Sequence, residues 1–167
     1  SFCAGLVVVL LAWFEHRQLL SSDYEEFIPL AYQNRRPAGE ILADQALEQE
    51  IVLPAALFET LQQDVRPSEL CLSMWMGTYA RTNTSRYKVY LQQGTDSVEQ
   101  EFNASEVRDN ALHQICFAAE AFEPFVPGPA LLGIHGLDAS PGNAITAFFS
   151  SDTKGGMLNK DFLGKVL

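Results

Sequence analysis

Histidine is scarce in this chain, cations are outnumbered, and no apolar run reaches the length of a complete membrane span. The 167 residues hold only three histidines, His16, His113 and His135, far apart and in no metal-ligand spacing. No Gly-x-Ser-x-Gly, phosphate-binding loop or dinucleotide fingerprint occurs. The acidic pair Glu25-Glu26 is adjacent in sequence, so its carboxylates diverge and do not suit paired acid–base work. These absences argue against an enzyme: no catalytic residue, metal site or cofactor is assigned. Eleven Lys and Arg stand against 21 Asp and Glu, a formal net charge of −10. That balance excludes a basic patch for nucleic acid or for an anionic membrane surface. The pair Arg35-Arg36 is too short to alter it.

What is present suits one globular domain, since 47% of residues are hydrophobic and 19% charged. Composition shifts sharply only at the amino end. Residues 2–14 carry no charge and Glu15-His16-Arg17 ends the run, whereas a full span takes about 20 apolar residues. Three readings fit: a transmembrane helix whose first turns precede this sequence, the apolar core of a signal peptide, or a buried helix. A signal peptide lacks its preceding basic residues here and a small-x-small cleavage site after the run. A buried helix of this kind would have no polar face. The first reading makes 1–17 a membrane anchor, with Phe2, Leu6, Val7, Val8, Leu10, Leu11 and Phe14 in lipid and Trp13 at the interface. Cys3 lies in the same run and follows no lipoprotein-like box. The acidic remainder suits the outer side, which places the chain in the cytoplasmic membrane with its head in the periplasm.

Residues 18–38 read as a juxtamembrane connector. Leu19, Leu20, Tyr24, Phe27 and Ile28 recur at helical spacing, Ser21, Ser22 and Asp23 offer an N-cap, and 35–39 (RRPAG) reads as a loop. From 39 to 167 the pattern is β. Its centre is the stretch from Leu70, where Leu70, Leu72, Met74 and Met76 share one face and Cys71, Ser73 and Trp75 the other. Further strands are expected at 47–53, 57–62, 87–92, 97–103, 112–118, 130–137, 143–150 and 162–166, punctuated by Pro, Gly, Asn and Asp. A helical turn capped by Ser105 is expected after Ala104. The fold class is therefore mainly β, a two-sheet antiparallel sandwich of jelly-roll type.

Individual side chains carry readings of their own. Arg81 is expected to hold a hairpin through loop carbonyls or to pair with Asp109, and Asp109, Asn110 and Asn143 to form turns. Asp138, Ser140 and Asn143 place oxygens in one loop, a solvated turn or a calcium site. His135 reads as a packed or edge histidine. Cys71 and Cys116 both point away from the core, so neighbouring strands would let them form a disulfide; otherwise they remain separate thiols. Asn83-Thr84-Ser85 and Asn103-Ala104-Ser105 match the N-glycosylation pattern.

The runs MGTYARTN at 76–83, VRDNALHQICF at 107–117 and GNAITAFF at 142–149, with Gly155-Gly156 after them, resemble the extracytoplasmic β-sandwich domain found beside transmembrane helices in bacterial envelope proteins. Some of these proteins are membrane glycosyltransferases. The resemblance covers residues from about 59 onward. It implies a jelly-roll-like sandwich outside the cytoplasmic membrane and carries over no catalytic residue.

Two functional classes follow. One is an accessory subunit that docks its head on an integral membrane complex and is held in the bilayer by its amino-terminal helix. The other is a carbohydrate-binding module that takes envelope glycan on Trp75, Tyr79, Tyr87 or Tyr90, aided by Arg81.

Overall fold

The computed structural model describes residues 35–63, 67–150, 161–162 and 164–166. The expected anchor (1–17), the connector up to residue 34, Cys3, His16 and Gly155-Gly156 lie outside the described residues. Among the described residues no helix is long and apolar enough to cross a membrane.

The chain builds two antiparallel sheets. Their strands are β1 (Arg35–Pro37), β2 (Ala46–Leu53), β3 (Glu69–Gly77), β4 (Arg86–Gln93), β5 (Asp96–Asn103), β6 (Ala111–Ala118), β7 (Gly128–Gly136), β8 (Thr146–Ser150), β9 (Asp161–Phe162) and β10 (Gly164–Val166). One sheet runs β1-β8-β3-β6, with β9 on β8 and β10 on β3; the other runs β2-β7-β4-β5. Alternation explains the packing. Leu70, Leu72, Met74 and Met76 from β3 meet Tyr87, Val89 and Leu91 from β4 and Leu132 and Ile134 from β7 in one core. Each fully buried aliphatic side chain contributes about 1.5–3 kcal/mol.

Two expectations at the amino-terminal end of the fold are corrected. Residues 57–62 are not a strand, because Ala55–Leu61 forms helix α1. Pro54 opens it at the N-cap and Leu57 and Phe58 turn into the core, while Ala55 and Ala56 favour helix. A short apolar run fits either period, and the two alanines after a proline decide it. Residues 35–37 are not loop but β1, which pairs with Ser150, Phe149 and Phe148. Pro37 is tolerated there because, among the described residues, this short strand ends the sheet order and has a partner on one flank only. The 3-10 turn at Ala104–Glu106 follows Asn103, with no side-chain cap from Ser105.

Glycine matters most on β7. A Cβ on Gly133 would strike the Tyr90 ring, and one on Gly136 would strike the Leu42 carbonyl. Both are places where a neighbour lies directly on the strand.

Candidate functional site

The strand parity that buries Leu70 to Met76 turns Glu69, Cys71, Ser73 and Trp75 outward. Register then fixes their neighbours on β6: Cys71 faces Cys116, Ser73 faces Gln114 and Trp75 faces Leu112. Cys71 and Cys116 are joined in a disulfide. Trp75 lies under Arg35, whose guanidinium carbon is 3.7 Å from the ring centroid, a cation–π stack. The indole Nε1 and Arg35 Nη1 are buried without a hydrogen-bond partner among the described residues. Leu112 beside them is 44% exposed. Phe148 covers Gly77 on the same side, opposite Pro37. The outer face of this sheet thus mixes Trp75, Leu112, Phe148 and the disulfide with Arg35, Glu69, Ser73 and Gln114, and Cys71 and Ser73 on it are buried.

The other sheet presents a different outer face. Glu48, Glu50, Glu99 and Glu101 are exposed there, and Lys88 binds Glu99 at 2.8 Å. Tyr90 lies across Gly133 and donates its hydroxyl to Glu48. Burial first, and then the Glu48 hydrogen bond, push the Tyr90 hydroxyl above its ordinary range.

The four aromatic residues expected to serve as platforms are not aligned. Trp75 is on one outer face and Tyr90 on the other. Tyr87 is 1% exposed in the core, stacked on Phe102 at 5.5 Å and bonded to His113 Nε2 at 2.9 Å, so its role is packing. Tyr79 is 41% exposed on the β3–β4 loop with Arg81 4.9 Å from its ring centroid.

That loop is built around carboxylates. Tyr79 and Ala80 both take positive φ, 58° and 56°, an unfavourable backbone for residues with a Cβ. Asp109 offsets it by accepting the Thr78 N–H at 2.6 Å at the start of the turn. The Thr78 bond foremost holds the Asp109 carboxyl below its ordinary range. Arg81 does not pair with Asp109: its Nη2 binds Glu40 at 2.6 Å and its Nε donates to the Thr78 carbonyl. Arg81, ahead of the Gly142 N–H, lowers the Glu40 pKa.

Of the loop oxygens suggested for calcium, those of Asp138 and Asn143 accept from internal donors. Asp138 accepts the Arg86 N–H at 2.5 Å and its Nε at 2.8 Å, and Asn143 Oδ1 accepts the Thr84 N–H at 2.7 Å. The Arg86 N–H, followed by its guanidinium, holds the Asp138 carboxyl low. Asn83 is fully buried and donates to the Ala144 carbonyl at 2.9 Å, so this glycosylation pattern lies inside the fold; Asn103 is exposed. His135 is half-buried on β7 opposite Lys88.

One cluster escapes sequence reasoning. Glu69, Cys71 and Cys116 place their donor atoms within 4.8 Å of one another. The only sequence signal is Glu69 two residues before Cys71; the third member arrives through cross-strand register.

No protein family, curated protein or solved structure matches this chain.

Proposed function

We propose that the chain is a non-catalytic accessory subunit, anchored in the cytoplasmic membrane by a single amino-terminal helix at 1–17, that docks a periplasmic β-sandwich onto a larger integral membrane complex. The observation that carries this reading is the group on the outer face of the first sheet in which Trp75 is paired with exposed Leu112 and stacked under Arg35, while Phe148 is paired with Pro37. Apolar groups of this kind mark interfaces, and tryptophan and arginine are their strongest anchors. The strand orders β1-β8-β3-β6 and β2-β7-β4-β5 support reading the two-sheet sandwich as a jelly roll. The disulfide supports an oxidising compartment.

The test is extraction from native membranes in mild detergent, followed by size separation and identification of co-migrating chains. Stoichiometric co-migration with a large integral complex is expected. Migration as a small detergent-bound monomer contradicts the proposal.

One observation favours glycan binding as a second reading. Tyr90 lies against Gly133 with the Lys88 ammonium over its ring, 5.9 Å from the centroid, and Glu48 accepting its hydroxyl, an aromatic with polar neighbours of the kind that takes a sugar ring. A glycan array with Tyr90→Ala and Trp75→Ala as controls distinguishes the readings: binding lost only in Tyr90→Ala supports the module.

A further inference from the structure

We propose that Cys71, Cys116 and Glu69 form a redox-gated binding site for a thiophilic divalent cation of the zinc class, closed by the disulfide and opened by its reduction. Glu69 and Cys71 are two residues apart on β3 and so face the same way. Cys116 sits directly opposite Cys71 on β6. The two sulfurs are joined in the disulfide, and a Glu69 carboxylate oxygen lies within 4.8 Å of them. This arrangement is set by backbone pairing along the whole of β3 and β6, Glu69 to Met76 against Ala118 to Ala111, so the donors remain neighbours when the sulfur–sulfur bond opens.

The Glu69 carboxylate is committed to no hydrogen bond or ion pair among the described residues. Other carboxylates on this molecule differ: Glu40, Glu99 and Asp138 each hold a cation. Glu69 is exposed, Cys116 half-buried and Cys71 buried, so the site opens to solvent on its Glu69 side while its sulfurs are sheltered. Gln114 lies one step along the ladder, opposite Ser73, on the same face, and its carbonyl or a water can complete four-coordination.

The chemistry balances in two steps. A dithiol or phosphine reductant supplies two electrons and, with two protons, converts the disulfide to two thiols; the dithiol leaves as its own disulfide and the phosphine as its oxide. The cation then displaces both thiol protons and binds two thiolates and the Glu69 carboxylate. At a zinc–sulfur bond of about 2.3 Å, tetrahedral geometry sets the sulfurs roughly 3.8 Å apart, a separation that side-chain rotation supplies from opposed positions on paired strands. The oxidised form has no thiolate to offer and does not bind, so metal and disulfide exclude each other.

The test uses the full chain carrying Cys3→Ser, which leaves only this pair of thiols. The protein is reduced with a phosphine under nitrogen, freed of reductant and titrated with Co²⁺ as the spectroscopic stand-in. The expected result is a near-ultraviolet thiolate-to-cobalt charge-transfer band that saturates at one cobalt per chain, is abolished by zinc and is absent from the oxidised protein. Glu69→Gln should keep the band and weaken affinity by about tenfold or more. Thermal melting of the reduced protein, with and without zinc, separates binding by the folded chain from capture by an unfolded one. Only the first raises the melting temperature. Absence of the band, one metal shared between two chains, unchanged affinity in Glu69→Gln, or a melting temperature that zinc leaves unmoved overturns the proposal.

Discussion

The two outer faces of this molecule are built on the same alternation and finish differently. On the β2-β7-β4-β5 sheet, outward positions carry Glu48, Glu50, Lys88, Glu99 and Glu101, charges that are stable only against water or each other, with Val52 exposed at the end of β2. On the other sheet, outward positions carry Trp75, Leu112, Phe148 and a disulfide, with Cys71 and Ser73 themselves buried. An antiparallel sheet with one core face needs only one apolar side. Trp75 on the outward side of β3, with Leu112 beside it on β6, is what the docking proposal rests on.

The comparison sharpens into differences of stability. Replacing both Cys71 and Cys116 with alanine opens a cross-link between residues 45 apart and should cost about 4 kcal/mol on the chain-entropy account, read by denaturant unfolding. Nothing on the charged face should match it. Trp75→Ala removes a half-buried ring and its Arg35 stack; a loss of about 2 kcal/mol is expected, together with loss of partner co-migration. On the charged face, Tyr90→Phe deletes only the hydrogen bond to Glu48 and should cost about 1 kcal/mol, with co-migration intact. A stability loss in Tyr90→Phe as large as that in Trp75→Ala would remove the energetic distinction between the faces.

Beneath both faces, His113 gives the core a pH dependence. Burial, opposed by Glu106, holds its pKa below the ordinary 6.5, so the unfolded chain binds the proton more readily. The contribution of neutral His113 is then fully present above about pH 6.5 and is lost as pH falls through the lower folded value. Melting temperature should drop on acidification, and less steeply in His113→Phe. The smallest effect belongs to Lys88→Ala, whose partly exposed pair with Glu99 is worth about 0.5 kcal/mol or less.

Much of the fold was legible because period-2 alternation survives in the residues themselves. The strand from Leu70 displays it, while face parity left the Cys71–Cys116 bridge open beside two separate thiols, and the β3–β6 pairing decided it. Helix α1 was not legible, since Leu57 and Phe58 fit a strand as well as a helical turn. Strand β1 was hidden by its Pro37 and by a length of three residues, too short to show a period. The site was less readable than the fold. Arg81 has its partner Glu40 41 residues away in sequence, and Glu69 meets Cys116 only through register. Long-range pairing of this kind leaves no local trace.

The most direct test of the central claim is photo-cross-linking in native membranes, with a photoreactive residue placed at Leu112 beside Trp75 or at Glu50 on the charged face. The docking account predicts a strong adduct to one integral membrane protein from position 112 and none from position 50. Adducts from position 50 alone, or equal adducts from both, would contradict it.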